Sequence, residues 1–336
     1  MKYLIKLTPL EPYFFGGENT FRIAGASSLI SESYYISSLP LPSQTTILGM
    51  LRYVLLEQNY LLNTDRVYED RSKQNELIGE KAYMVDADNR LGKIRSVSPL
   101  FIMDNKGEKY IPAPLNHDAV HSFYSPLEMS DTVISTSHGS IHVPKDYDIK
   151  SHGRFLGETS YMRISDKAIV SDIFESCERV GIDKNKKDEA YFKKLYMYLK
   201  KEYCFAVAAE LDTKISDTVC YMGREKSCFK LNAEPLCDSY DITKEIEEVC
   251  GDGVWYAFSD LLLKKHIKYT DYSIVKTGTL RTLSSSYDSN NKLKIRPSEK
   301  LYNVIKAGSV FYFDVASEDY FYNDTYGLNK LVKLGG

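Results

Sequence analysis

The first residues that could bind a ligand form a glycine-bearing segment near the N-terminus. Gly16 and Gly17 permit positive φ angles or a close approach of the backbone, and Asn19 and Arg22 follow within one short stretch. Backbone N–H groups, an amide and a guanidinium are donors that phosphate oxygens accept. The segment therefore predicts a phosphate-binding loop, and a tight turn without a ligand is the alternative.

A second group of donors follows about twenty residues later, at the head of a predicted helix. Ser43 is the expected N-cap, and Thr45 and Thr46 lie in the first turn. The free N–H groups of a helix N-terminus, together with such hydroxyls, can bind an anion. Arg52 lies further along the same helix and could add a cation, although an arginine in a surface ion pair is the simpler interpretation.

A long segment without clear periodicity, residues 115–163, carries histidines and cations. Such a segment inside a folded chain is usually functional or disordered. A histidine here could act as a general acid or base in RNA cleavage, or stack on a base, or have no function. Five of its side chains are candidates for RNA contact: His138, Lys145, Lys150, His152 and Arg154.

No pattern in the chain predicts a metal or a cofactor. His117 and His121 have the spacing of a zinc-binding helix, but the glutamate of that motif is missing and prolines precede it, which favours a surface turn. Neither a nucleotide-binding P-loop nor a G-x-G-x-x-G motif occurs. The 6 cysteines form no C-x-x-C pair, so we expect reduced thiols.

Composition indicates a globular protein with partners. The chain has 336 residues, 43% of them hydrophobic, and a net charge of −3 from 43 Lys+Arg and 46 Asp+Glu. This balance argues against a free-standing nucleic-acid binder but allows one RNA-facing surface. We expect two domains, no membrane span, no signal peptide and a cytoplasmic location.

The order of elements predicts an α+β fold rather than a doubly wound sheet. A charged run at residues 181–187 is the predicted boundary, although a loop within one domain is nearly as plausible. The predicted elements are a strand at 2–8, a helix from 43, strands at 96–103 and 110–113, a hairpin of 195–199 with 204–211, a glycine turn at 222–226, helices at 242–249 and 254–267, and a strand at 307–314.

Five ordered stretches of the chain resemble one known family. They are Glu11–Arg22, Leu39–Arg52, Arg179–Asp183, Gly223–Phe229 and Ala307–Phe313, with Lys276–Arg281 as a further match. The family is the RAMP-type subunit that holds the 5′ end of the guide RNA in type III-B (Cmr) CRISPR–Cas complexes, the third Cmr subunit. The matches span nearly the whole chain.

The resemblance implies a fold, a function and a set of partners. The fold would be two ferredoxin-like (RRM-like) domains, 1–185 and 186–336, with a β-hairpin thumb inserted at about 115–163. The subunit would bind the crRNA 5′ handle without cutting RNA. It would link the large Cas ten-group subunit to the Cas seven-group backbone and meet target RNA only indirectly. No cofactor is expected.

The resemblance also adds site residues in the second half. The family's glycines fall on Gly16, Gly17, Gly223 and Gly308, and its RNA contacts would include four residues there: Arg224, Lys226, Lys276 and Arg281. Relatives carry a second glycine where this chain has Arg224, so the arginine itself could contact phosphate, or the loop could have drifted. Two other functions remain open: a metal-independent RAMP-type endoribonuclease that processes crRNA precursors, with His138 or His152 as general base, and the equivalent type III-A subunit.

Overall fold

The structure is a computed structural model. It describes the chain except residues 22–33, 63–69, 81, 86–88, 138, 146–158, 183–190, 224, 251–253, 265–271, 288–292, 313–319, 323–325 and 335–336. Within the described part, no helix is long and apolar enough to span a membrane.

The described residues form three helices and many short strands. The helices are α1 (Gln44–Gln58), α2 (Arg71–Ile78) and α3 (Ile242–Cys250). The strands are β1 (Lys2–Pro9), β2 (Gly16–Phe21), β3 (Tyr34–Ser38), β4 (Ile94–Val97), β5 (Phe101–Asp104), β6 (Lys109–Pro112), β7 (Met129–Thr136), β8 (Gly139–Pro144), β9 (Tyr161–Arg163), β10 (Ile169–Val170), β11 (Phe174–Ile182), β12 (Tyr191–Leu199), β13 (Tyr203–Leu211), β14 (Thr218–Met222), β15 (Ser227–Leu236), β16 (Val254–Ala257), β17 (Leu261–Leu262), β18 (Tyr272–Ile274), β19 (Thr277–Tyr287), β20 (Leu293–Ile305), β21 (Val310–Tyr312) and β22 (Leu331–Leu334). The predicted α+β class is confirmed, with β-structure dominant.

A nine-stranded sheet forms the body of the protein. Its order is β10-β9-β6-β5-β13-β1-β15-β14, with β4 paired to β13. β1 alternates as its sequence predicts, so that Tyr3, Ile5 and Leu7 enter the main core while Leu4 enters a second core on the opposite face. The sheet is therefore packed on both faces.

Helix α1 covers the first face. Ser43 caps it as predicted, since its hydroxyl accepts a hydrogen bond from Thr46 N at 3.3 Å. Ile47, Leu51 and Val54 then point into the main core, which is what their helical spacing predicts. Helix α3 and the sheet β18-β21-β16-β22 cover part of the other face and close the second core.

A smaller sheet and two hairpins complete the described structure. The sheet has the order β11-β12-β3-β2, in which β12 and β3 run parallel. β7 and β8 pair only with each other, within the segment for which no periodicity was found. β19 and β20 form the longest hairpin, which is joined to β17.

Two predicted elements are wrong. The helix expected at 254–267 is absent from its described part, because Trp255 and Tyr256 belong to β16, which pairs on both sides with β21 and β22. Aromatic and β-branched residues favour such a central strand. The hairpin expected from 195–199 and 204–211 does not form either, since β12 and β13 join different sheets.

Helix α2 lies in a polar stretch for which no element was predicted. Asp70 caps this helix, and only Gln74 and Leu77 on it are buried, so its hydrophobic signal was too weak to detect. The predicted boundary at residue 185 lies between β11 and β12, which pair as a hairpin, and the large sheet includes strands from both sides of it. The two ferredoxin-like domains stay a prediction.

Candidate functional site

The candidate site begins where a loop and a turn touch, which we call the glycine junction: residues 13–16 and the turn Met222–Ser227. Gly223 has φ +75°, and a Cβ there would lie 2.7 Å from the carbonyl oxygen of Phe14. Phe14 N in turn donates to Ser227 Oγ at 3.1 Å. Only glycine fits at position 223, because any side chain would push the loop and the turn apart.

The second glycine segment has a different role. Gly16 does not have a positive φ, and a Cβ there would meet only the ring of Phe14, at 3.9 Å. The pairing of β2 with β3 shifts between Gly16 and Asn19, which places Gly17 in an irregular stretch of the strand. The fold therefore does not require glycine at position 16. Arg22 lies outside the described residues.

The small sheet brings Asn19 into one row with residues far away in sequence. Asn19 pairs with Ile36, Ile36 with Lys194, and Lys194 with Arg179. Three strand steps separate the two ends of the row, about 14 Å. Asn19 and two cationic residues thus share one row of paired residues across the sheet, next to the glycine junction.

A carboxylate joins this row to the junction. Glu225, in the turn, accepts hydrogen bonds from the Lys194 ammonium and the Tyr196 hydroxyl. The Tyr196 ring lies 5.4 Å from the Phe14 ring, and the Lys194 ammonium lies 5.4 Å from the centre of the Phe14 ring. Burial and the bond to Glu225 raise the pKa of Tyr196 to about 12, so its hydroxyl stays a donor at neutral pH.

The turn also presents Lys226. This residue has φ +55°, and its N–H donates to Gly223 O at 3.2 Å, which closes the turn. Its side chain is exposed, and no carboxylate in the described part of the chain pairs with its ammonium. Lys226 can therefore meet an external anion, whereas Arg224 lies outside the described residues.

The head of α1 lies a short distance away along the chain. The Ser43 hydroxyl is 3.0 Å from that of Thr45 and 2.9 Å from that of Thr46. Leu39 N donates to Phe15 O at 2.7 Å, so the loop before the helix starts at the junction. The five residue steps from Ser38 to Ser43 span at most about 17 Å, so one extended ligand could contact both places.

Arg52 is not brought to the helix head. It lies nine residues beyond Ser43, about 13 Å along the axis. Its guanidinium donates to Gly79 O at 3.2 Å, at the end of α2. In this structure Arg52 connects two helices.

Lys276 and Arg281 lie at a separate place. Lys276 N donates to Ser309 Oγ at 3.1 Å, beside Gly308, where a Cβ would lie 3.0 Å from Ala113 O. Ala113 follows β6, which is five strand steps from β14, about 24 Å across the large sheet. Arg281 is exposed on β19. Gly308 thus locks a second turn, remote from the glycine junction.

One of the five RNA-contact candidates in the insertion is described. Lys145 follows β8, is exposed, and pairs with Glu128 at 3.2 Å. Four other candidates lie outside the described residues: His138, Lys150, His152 and Arg154. Nothing in the described structure places this segment beside the glycine junction.

His117 has a structural role. It is buried; its Nδ1 accepts from Ser125 N at 3.1 Å, and its Nε2 lies 3.1 Å from His121 O. The first bond identifies Nδ1 as the acceptor, so Nε2 carries the proton, and burial lowers the pKa of the ring. Among the described residues no group of His, Cys, Asp or Glu could hold a metal ion. A cavity of about 250 Å³ opens beside His121.

Three site residues were missed by the sequence analysis: Arg179, Lys194 and Tyr196. The Arg179 guanidinium lies 4.7 Å from the centre of the Tyr196 ring. Arg179 opens one of the stretches that carry the family resemblance, and this was the only signal in the sequence. The pairing of β12 with β3, which creates the row, depends on residues about 160 apart.

A family model supports the resemblance. The model of one family, described as CRISPR-associated protein (Cas_Cmr3), matches residues 5–258, about three quarters of the sequence. No curated protein matches. Among solved structures, a chain of the "Cryo-EM structure of the Type III-B Cmr-beta bound to cognate target RNA" has 19% identity and a TM-score of 0.47, and covers 93% of this chain and 86% of its own. A chain of the related structure with target RNA and AMPPnP, state 1, has 18% identity, a TM-score of 0.46 and the same coverage.

Proposed function

Because the chain belongs to the Cas_Cmr3 family of CRISPR-associated proteins, we propose that it is a non-catalytic, RNA-binding subunit of a type III-B (Cmr) effector ribonucleoprotein. It binds the repeat-derived 5′ handle of crRNA. It links the large Cas ten-group subunit to the Cas seven-group backbone, and it meets target RNA only through the guide.

One observation carries the RNA-binding part: the glycine junction and the row from Asn19 to Arg179 are adjacent. Glu225 connects them through Lys194. An exposed glycine at the junction, Asn19 in the row and cations on both sides supply the residue types that single-stranded RNA requires. Glu225 is already paired with Lys194, so it repels phosphate weakly.

Affinity in this arrangement comes from many modest contacts. Lys226 and the head of α1 offer donors to phosphates on either side of the loop. Lys276 lies beside Gly308 and Ala113, and the strand before Ala113 is about 24 Å across the large sheet from β14. Lys276 would therefore contact another part of the handle or a partner subunit, and Arg281 on β19 is a further candidate for such a contact. The β7–β8 hairpin is our candidate for the family's thumb, with Lys145 at its base.

The test is recovery of RNA with the chain. The tagged full chain is purified from its native cells, bound RNA is sequenced, and co-purifying proteins are identified. We expect small RNAs with one common 5′ end, together with a large polymerase-like subunit. RNA without a common end would overturn the handle-binding role, and cleavage of repeat RNA by the isolated chain would favour the endoribonuclease instead.

Two variants sharpen this test. Lys226→Ala should weaken binding of handle RNA and reduce the dependence of log K on log salt by about 0.7, the value of one phosphate contact on a single strand. Lys244→Ala, an exposed lysine on α3, is the control and should leave both unchanged. Equal effects of the two substitutions would show that only overall charge matters.

A further inference from the structure

The guanidinium of Arg179 lies over an aromatic ring. Arg179 is exposed on β11, and its guanidinium lies 4.7 Å from the centre of the Tyr196 ring. No described carboxylate bonds it; the neighbouring Glu178 pairs with Lys193 at 2.7 Å. Neighbouring residues of a strand point to opposite faces, so that pair lies on the other side of the sheet.

The ring behind the guanidinium is held in place. Glu225 accepts a hydrogen bond from the Tyr196 hydroxyl, and the Phe14 ring lies 5.4 Å from the Tyr196 ring. A guanidinium resting on a ring keeps an outer planar face and N–H groups at its edge. That outer face can stack on a further planar group while the edge donates hydrogen bonds.

The surroundings favour a base of RNA as that planar group. Arg179 and Lys194 end a row that starts at Asn19, and Lys226 is exposed in the adjoining turn. Glu225, the carboxylate in their midst, is occupied by Lys194. An aromatic side chain of a partner protein could also stack here, but it would not require this collection of cations.

We propose that Arg179 stacks on one splayed ribonucleobase, with Tyr196 as the ring behind it and Glu225 as the residue that positions that ring. This inference rests on the proposed function, because it places one base of the handle at the row beside the glycine junction. Stacking tolerates any base, so the site selects an unpaired nucleotide rather than a particular base.

The experiment uses handle RNA in which a fluorescent adenine analogue replaces one nucleotide at a time. The RNA is bound to the full chain, purified with its natural partners. We expect stacking to quench the analogue at one position. Arg179→Lys keeps the positive charge but removes the planar guanidinium. It should therefore restore fluorescence at that position alone and leave the salt dependence of binding unchanged.

Further variants separate the contributions. Arg179→Ala should weaken binding about 5- to 150-fold, the range for loss of one stacked base. Lys193→Ala, an exposed neighbour on the opposite face, should behave as the wild type. Glu225→Ala should reduce quenching at the same position as Arg179→Lys, with the other positions unchanged, which a general loss of stability would not do.

The outcomes distinguish the two proposals. The wild-type chain should prefer handle RNA to RNA of equal length with a permuted 5′ end. If it shows no preference, both the proposed function and the stacking site are overturned. If the wild-type chain prefers the handle but Arg179→Lys leaves the quenching unchanged, only the stacking site is overturned. Loss of a partner protein from Arg179→Ala, with quenching retained, would assign the guanidinium to a protein contact.

Discussion

Single glycines of the candidate site have different roles, although their sequence context is similar. Gly223 has a left-handed backbone and a carbonyl oxygen where its Cβ would be, whereas Gly16 has neither constraint. The first glycine keeps two chain segments in contact, and the second is exposed beside them. Of these two positions, only 223 requires glycine.

We expect Gly223→Ala to lower the free energy of unfolding more than Gly107→Ala does. Both glycines have positive φ, which costs alanine about 1 kcal/mol. A Cβ at Gly107 meets nothing within 4 Å, while one at Gly223 lies 2.7 Å from Phe14 O and should add about 1–3 kcal/mol. Chemical denaturation of both variants measures the difference; equal losses would contradict the contact.

His117 makes stability depend on pH. Its pKa is lowered by burial, so it contributes stability above the ordinary value of about 6.5 that is lost as the pH falls through the folded value. We expect the melting temperature to fall between pH 7.5 and 5, and His117→Gln to show a smaller fall from a lower start. The exposed His121→Gln is the control, and a wild-type pH dependence in His117→Gln would exclude this role.

At the scale of elements, the head of α1 serves two purposes that can be separated. Ser43 caps the helix and also offers a hydroxyl to a ligand. Capping was predictable from local sequence, because a serine before an apolar helical stripe satisfies the first N–H groups. Anion binding depends on what the surrounding loops leave open.

Two substitutions at position 43 test this separation. Ser43→Ala should destabilise the protein by about 1 kcal/mol, whereas Ser43→Asp keeps a cap of similar strength and suits the helix dipole. If a phosphate binds at this head, Ser43→Asp should still weaken RNA binding because of charge repulsion. Thermal melting and RNA titration, measured together, decide; unchanged RNA binding in Ser43→Asp would remove the helix head from the interface.

At the scale of the whole molecule, the first strand pairs with strands from the second half of the chain. β1 lies between β13 and β15, which follow it by about 200 residues, and the Met1 ammonium donates to Leu211 O at 3.0 Å. The central strand of the large sheet therefore obtains both neighbours from the far side of residue 185. The two halves share one sheet and one core.

Separate expression of residues 1–185 and 186–336 should give fragments that do not unfold cooperatively. In the first fragment β1 loses both strand partners, and in the second β13 and β15 face a gap between them. Hydrogen-bond pairing and burial of Ile5 and Leu7 are lost together. Circular dichroism with urea denaturation checks this, and a sharp transition in either fragment would contradict the shared core.

The sequence alone determined what depends on neighbours in the chain. The capped helix α1, the alternation of β1, the glycine turn at 222–226 and the short helix at 242 were predicted because capping, periodicity and turn chemistry are local. The order of five matching stretches also identified the family. Of the predicted site residues, Gly223 and Lys226 lie together because both belong to one local turn.

Only the tertiary structure decided which motifs meet. The stretch predicted as a helix at 254–267 begins instead with a strand, β16, because two neighbouring strands pair with it. Arg52 donates a hydrogen bond to Gly79 O at the end of α2 because the two helices pack together. Arg179, Lys194 and Tyr196 joined the site through strand pairing across about 160 residues. Pairing at that distance follows from burial of the whole core, which no local pattern encodes.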